Sequence, residues 1–390
     1  MNVPTVVGAG KTLVEEFLSQ SYEFRRNVLS DKYEVREQNG AWRSVTRECI
    51  NSIARRMKRE VDESRSWRSE IEEYIQSEET PTYDPIVDYL NSLPVWDGYD
   101  RVKQLFMRLP GINEEQLGWM AVWFRSAVAH WLHMDLLHGN EQVVTLIGPQ
   151  GCGKTTFCAQ LLPLEFRAYY LDHVNLANKF DKEMALTHNL LVNIDELDQI
   201  KSGKQAELKQ MLSKNKVNGR PIFGRAQQDR LRYASFVATT NNPRPLRDRT
   251  GSRRYLCFEI PQDAIICNDQ PIDYPQLYAQ LVYEVRNQQL PYWFSQADIR
   301  RIEANNAKYQ FVGDLESMVA TCFRRPSAGE VVKPMLTRDV VSVLTQNYPE
   351  LQQTQGMNVK VGRVLKAMNY EQKSTNQGSA YFLVPIPKSA

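Results

Sequence analysis

The spacing of apolar residues changes character three times along the chain. Residues 1–80 are polar and read as helix-rich. Residues 45–61 place Ile50, Ile53, Ala54, Met57 and Val61 at helical spacing, with Arg55, Arg56, Lys58 and Arg59 largely on the other faces. That charge run reads as a solvated helix face, with a DNA-facing surface as the alternative. Residues 79–85, which hold Pro81 and Pro85, form a punctuated break and the first expected boundary. Residues 81–140 form a helical segment. It includes Leu90, Leu93 and Trp96 ahead of Asp97-Gly98, then one long helix expected from Asn113 to His138. Asn113 suits an N-cap, Gln116 the capping-box position and Gly139 the stop. Met120, Trp123, Phe124, Val128, Trp131 and Leu132 make that helix apolar almost all round, so it should be mostly buried.

From residue 141 to 261 short apolar runs alternate with helical stretches, the pattern of an α/β domain with a largely parallel sheet. A loop (262–274), helical sequence to about residue 324 and a linker (325–334) follow, so that 262–334 reads as a helical region with its linker. Residues 335–390 form a small final unit that looks like a winged helix. Thr337 could cap a helix with Val340, Val341 and Leu344 inward. Residues 358–368 could form a second helix with Val361, Leu365 and Met368 inward and Lys360, Arg363 and Lys366 outward as DNA contacts. Gly378, between strand-like ends, could turn a wing; a structural cap with a basic solvated face is the plain alternative.

Composition narrows this picture only a little. A length of 390 residues suggests two or three domains, and a net charge of +2 leaves any nucleic-acid surface to local clusters. The six cysteines form no C-x-x-C pair, which argues against a zinc ribbon or disulfide framework and for a reduced, cytoplasmic setting. No signal peptide and no membrane span of about 18 apolar residues is expected. His130, His133 and His138 lack a nearby cysteine or acidic set, so packed histidines are expected there instead of a metal site.

Chemistry enters at residue 148. Gly148-Pro149-Gln150-Gly151-Cys152-Gly153-Lys154-Thr155 fits G-x-x-x-x-G-K-[ST] at every fixed position, after the apolar run Val143–Ile147. Such a loop curls backbone N–H groups around phosphate oxygens at a helix start. The stretch through Thr156 is therefore the expected ATP-binding element. Lys154 is expected on the β- and γ-phosphates and the Thr155 hydroxyl on Mg²⁺. Gly8-Ala9-Gly10-Lys11-Thr12 repeats half of the motif but has Thr5 where the first glycine belongs, so it reads as a decoy. Downstream, an apolar run ends in Asp195-Glu196. Asp195 should hold the metal, and Glu196 should polarise the attacking water. Phe236-Val237-Ala238-Thr239-Thr240-Asn241 is a further apolar strand whose Asn241 would sense the γ-phosphate. Arg253 and Arg254, just before another strand, could stabilise transition-state charge from a neighbouring subunit.

In this order, P-loop, Asp-Glu strand, Thr-Thr-Asn strand and Thr250-Gly251-Ser252-Arg253-Arg254 resemble the virulence-associated E family. These are phage- and mobile-element-encoded ATPases similar to superfamily 3 replicative helicases. Tyr83-Asp84-Pro85, Tyr89-Leu90, Leu93, Trp96-Asp97-Gly98 and Ile194-Asp195-Glu196-Leu197 add to the likeness, which covers roughly residues 80–260. The resemblance implies an AAA+-like core, Mg²⁺-dependent ATP hydrolysis, a hexameric ring and DNA, single-stranded or forked, as partner. It carries Lys154, Glu196, Asn241, Arg253 and Arg254 as catalytic candidates. Many members have a primase domain ahead of the ATPase; about 80 residues precede the matching region here, too few for one, so priming is not expected. The resemblance also implies a channel hairpin within residues 204–232. Residues 217–221 would be its turn, and Lys214, Lys216, Arg220 and Arg225 its phosphate contacts; a basic surface loop is the plain alternative. The expected function is thus a helicase motor in phage or mobile-element replication. An ATP-switched DNA-binding regulator or defence component is the rival, and a small-molecule kinase a more distant one.

Overall fold

A computed structural model describes residues 11–134, 139–200, 204–219, 228–247, 251–311, 314–327, 329–348, 351 and 353–386. The chain divides into two compact units after Tyr309. The division therefore falls well before the expected linker at 325–334.

The first unit opens with α1 (Leu13–Ser21), β1 (Tyr22–Asn27), β2 (Lys32–Glu37), β3 (Arg43–Ser44), α2 (Arg47–Glu60), α3 (Arg68–Ile75) and β4 (Thr82–Tyr83). Thr12, the last residue of the decoy, is the N-cap of α1 in a capping box with Glu15; Gly8, Ala9 and Gly10 lie outside the described residues. The helix-rich reading missed a four-stranded sheet of order β3-β2-β1-β4. Its β1 and β2 carry paired charges, Glu23 with Arg36 and Arg25 with Glu34, across the register that also sets Phe24 opposite Val35. The expected break at 79–85 is part of this sheet, because Thr82 and Tyr83 pair in parallel with Arg26 and Asn27. The Asn27 side-chain amide then donates to the hydroxyls of Tyr83 (3.1 Å) and Tyr169 (2.9 Å), and Leu29 enters the core around the central sheet. No domain boundary stands at residue 80.

Next come α4 (Pro85–Asn91), α5 (Arg101–Phe106) and α6 (Glu114–Trp131). The expected capping box starts α6: Asn113 accepts from the Gln116 amide at 2.9 Å, and Gln116 accepts from the Asn113 amide at 3.1 Å. The helix ends at Trp131, short of His138, because His133 takes a left-handed conformation at φ 56°. Met120, Trp123, Phe124, Val128 and Trp131 are buried, each stabilising the fold by roughly 1.5–3 kcal/mol.

The central sheet holds β5 (Val143–Ile147), β6 (Tyr170–Leu171), β7 (Leu191–Asp195), β10 (Ser235–Thr240) and β11 (Tyr255–Glu259). It is parallel throughout, in the order β11-β5-β10-β7-β6. β5 and β10 are buried at every position, as parallel strands covered on both faces should be. One face packs on α6, α7 (Lys154–Ala159) and α10 (Tyr274–Arg286); the other packs on α8 (Lys179–Thr187) and α9 (Gln205–Leu212). Between α9 and β10 stands an antiparallel hairpin, β8 (Lys216–Gly219) with β9 (Gln228–Leu231). The expected turn at 217–221 is corrected: Val217, Asn218 and Gly219 are strand residues, and the connection lies further on, outside the described residues. α11 (Gln296–Asn306) completes this unit.

The second unit comprises α12 (Asp314–Cys322), β12 (Phe323–Arg324), β13 (Met335–Leu336), α13 (Thr337–Asn347), α14 (Gln355–Ala367), β14 (Gln372–Thr375), β15 (Gly378–Tyr381) and β16 (Val384–Pro385). α12 belongs here because Val319, Cys322 and Phe323 share a core with Val340, Leu344, Val361, Leu365 and Tyr381. α13 and α14 pack on one another, and α13 borders the three-stranded sheet β13-β15-β14. Leu336, not Thr337, is the N-cap of α13, while the Thr337 hydroxyl donates to the Ser379 carbonyl. α14 begins three residues before the expected start at 358, with Thr354 as its cap.

Candidate functional site

Parallel register brings the informative strand ends to one edge. Ile147 stands beside Thr240 and Glu259, and Asp195 beside Thr239. Ligands of open α/β sheets bind at this carboxyl edge. A cavity of about 390 Å³ there is lined by Gln150, Gly151, Gly153, Lys154, Thr155, Thr156, Asp195, Glu196, Thr239, Thr240 and Asn241. Three expected contacts do not line it. Gly148 is pressed against the sheet, where a Cβ would fall 2.8 Å from that of Ile260. Pro149 turns its carbonyl to Lys154 at 2.7 Å. The Cys152 side chain is buried in the core.

Gly153 is the N-cap of α7, at φ 90° and ψ 13°, and supplies no side-chain cap. The first-turn amides of α7 have no partner within the helix, so they suit an anion. Lys154 is buried and folded back on its own loop, donating to Gly148 O (2.8 Å), Pro149 O (2.7 Å) and Asn241 Oδ1 (3.0 Å). It is therefore already tied to the expected sensor.

Glu196 is exposed and takes a left-handed backbone at φ 51°, a conformation costing a non-glycine residue on the order of 1 kcal/mol or more. Thr239 donates its hydroxyl to Asp195, and Thr240 donates to Asp198 at 2.5 Å. Asp198 thus ties the acidic turn to the sensor strand. Sequence reading passed over it although it stands three residues after Asp195. Asn268 was also missed. Its side chain donates to Gly153 O at 3.0 Å while the Ile266 amide donates to Cys152 O at 3.0 Å, bracing the phosphate loop from behind. Nothing in the sequence of that loop signals the contact. The Thr155 hydroxyl and Asp195 carboxylate are hard oxygen donors of the kind magnesium takes, with water and phosphate completing its shell. Among the described residues no group of three or more His, Cys, Asp or Glu could hold a metal; His130 is buried, His133 approaches Asp84 at 3.4 Å, and His138 lies outside them.

The arginine pair stands at the other end of the sheet. Tyr255 pairs with Val143, five residues before Gly148, so the pair is about 17 Å from the start of the phosphate loop at roughly 3.3 Å per residue. Arg253 is exposed. Arg254 turns inward, donating to Ser213 Oγ (3.0 and 3.3 Å) and approaching Glu141 at 3.7 Å.

Of the DNA candidates, Lys214 is half-buried and Lys216 exposed but paired with Asp229. Arg220 and Arg225 lie outside the described residues. Lys360, Arg363 and Lys366 are all exposed on α14, opposite buried Val361 and Leu365. No helix among the described residues is long and apolar enough to cross a membrane.

Fold and site define an α/β protein with a parallel sheet and a phosphate-loop sequence at its carboxyl edge. A family model described as the virulence-associated protein E-like domain matches residues 90–311, more than half of the chain. The chain belongs to that family. No curated protein matches it. Two solved apo structures of the NrS-1 C-terminal region (305–718) are similar. An A form is 11% identical, with 95% of this chain and 98% of that chain covered at TM-score 0.46. Another is 12% identical, with 96% and 98% covered at TM-score 0.46. Likeness at that level is too distant to carry fold or function.

Proposed function

We propose that this chain is a Mg²⁺-dependent ATPase with an AAA+-like core, and the motor of a DNA helicase that replicates a phage or mobile element. The observation that carries the reading is the convergence of Lys154, Thr155, Asp195, Glu196 and Asn241 on one cavity. The sheet order, with the phosphate-loop strand beside the sensor strand and the acidic strand next, supports it.

The first-turn amides of α7 take the phosphates, and Lys154 swings from the carbonyls of Gly148 and Pro149 to the β- and γ-phosphates. Thr155 and Asp195 would hold the magnesium ion, which when bound draws negative charge from the phosphates. Glu196 accepts a proton from the attacking water, and Asn241 orients that water. Arg253 cannot reach its own chain's site and acts on a neighbouring copy, which asks for a ring; the family resemblance makes that ring a hexamer. The hairpin and α14 present the DNA-facing cations, and the motor works in the host cytoplasm.

ATP hydrolysis by the full chain, with and without single-stranded DNA and beside Lys154→Ala, tests this reading. Hydrolysis that rises with DNA and vanishes in the variant supports the motor. Hydrolysis indifferent to DNA favours an ATP-switched regulator. No hydrolysis and no MgADP binding sink the proposal.

A further inference from the structure

Residues 213–215 connect the end of α9 to the start of β8 and are the place where the hairpin could hinge. On one side lies the segment that begins at Asp195 and Glu196; on the other lies the hairpin. Two arginines from elsewhere hold this hinge. Arg232 is 2% exposed. Its guanidinium donates to Leu212 O (2.7 Å), Lys214 O (2.6 Å), Ala234 O (2.8 Å) and Asn140 O (2.8 Å). Those carbonyls belong to the end of α9, the lead-in to β10 and the lead-in to β5. Only a planar fork of five donors spans such a set, and the carbonyls at a helix C-terminus favour a cation. Arg254 holds the same hinge from the other side through Ser213 Oγ.

The frame behind the clamp is cross-tied by hydrogen bonds. The amides of Tyr233 and Ala234 donate to Leu186 O at 2.9 and 3.2 Å, Trp131 donates to Tyr233 O at 3.0 Å, and the Tyr233 hydroxyl donates to Asp84 at 2.6 Å. Arg254 adjoins Arg253, the exposed member of its pair, while α9 leads back to the acids. The hinge is thus attached to both places where nucleotide state is felt. Coupling needs such a shared element, biased by both sites.

We infer that Arg232 and Arg254 are positioning residues that clamp the 213–215 hinge through its contacts at Leu212, Ser213 and Lys214, and pass the state of the nucleotide site to the hairpin. The inference rests on the nucleotide and DNA readings proposed above. It also gives Arg254 an inward role in place of the outward one expected from sequence.

The test uses the full chain, its Ser213→Ala variant, which removes only the acceptor of Arg254, and Arg232→Lys, which keeps the charge and loses the fork. Amide hydrogen exchange across residues 212–219 and 228–231 is measured with and without MgADP, alongside MgADP affinity and single-stranded DNA affinity. In the wild type, MgADP should change exchange across the hinge and shift DNA affinity by a factor of about 5 or more. Ser213→Ala should bind MgADP within about threefold of wild type yet lose most of both responses. Should Arg232→Lys fail to fold, Ser213→Ala alone decides. Responses that persist in Ser213→Ala overturn the clamp, as does a wild-type hinge indifferent to bound MgADP. A wild type that binds no MgADP overturns the nucleotide reading itself and takes the clamp with it.

Discussion

Replacing Gly153 with alanine probes the phosphate loop through two separable costs. The first is backbone: a left-handed conformation costs an L-residue about 1–2 kcal/mol, and Gly153 sits at φ 90°. The second is the strap behind the loop. An added Cβ would lie 2.5 Å from Asn268 Nδ2, so that side chain must move and give up its hydrogen bond to Gly153 O, worth about 1 kcal/mol. Together these destabilise the chain by about 2–3 kcal/mol, or roughly 3–5 °C in melting temperature for a unit of this size. MgADP affinity should also fall more than about tenfold as the first-turn amides of α7 tilt. Adding Asn268→Ala relieves the contact and leaves the backbone cost. The double variant should then be about 1 kcal/mol more stable than the sum of the single effects predicts. Thermal melts and MgADP titrations of the four proteins measure both costs. An unchanged melting temperature and affinity in Gly153→Ala, or strict additivity in the double variant, would refute the reasoning.

Other outcomes follow from side chains outside the loop. Asp84 caps α4 and accepts from the Tyr233 hydroxyl at 2.6 Å, so Asp84→Ala should cost about 2–4 kcal/mol in urea melts. Burial pushes the Asp84 carboxyl up, but hydrogen bonds involving His133, Tyr233 and the Val87 amide together bring it below its ordinary value. A depressed folded-state value means that this stability is present above the unfolded value near pH 4 and is lost as pH falls through the folded one. The gap between wild type and Asp84→Ala should therefore close below about pH 4, and a gap that widens there would contradict the assignment. Asp229 neutralises Lys216 on the hairpin, so Asp229→Asn should strengthen single-stranded DNA binding at low salt and steepen its salt dependence by up to about 0.7. Unchanged or weaker binding would remove Lys216 from the DNA surface. In Lys154→Ala the loop loses the cation that ties it to Asn241, and MgADP binding should become undetectable by calorimetry.

What the sequence disclosed and what it hid divide along physical lines. That residues 150–156, Asp195, Glu196 and Asn241 would meet at one strand edge was legible because phosphate-loop spacing and unbroken apolar runs mark where buried parallel strands end. The capping box of α6 was legible for the same local reason; its end was not, since no glycine or proline marks His133. The N-terminal sheet hid behind its own ion pairs: Glu23, Arg25, Glu34 and Arg36 make both strands look like solvated helix faces. Thr82–Tyr83 is too short a strand to show any period. Arg232 gave no signal, because nothing local marks a guanidinium that will be buried under four carbonyls. Asn268 and Ile266 brace the loop from more than a hundred residues away, through one amide and one backbone group.

The seam at Asn27 bears on how such a chain can be exchanged between genomes. The segment shared across the family begins at residue 90, inside α4 (Pro85–Asn91), whereas the compact unit runs on through the N-terminal sheet. A recombination breakpoint at the family border would leave Tyr169 without the Asn27 amide and open the socket that Leu29 fills. Leu29 lies in the same core as Phe157 and Cys158 of the phosphate-loop helix. The piece that the family model matches is thus smaller than the piece that folds. Viable exchange has to carry β1, the Leu29 turn and β4 along with the matched segment, or meet a recipient whose own front half offers the same plug.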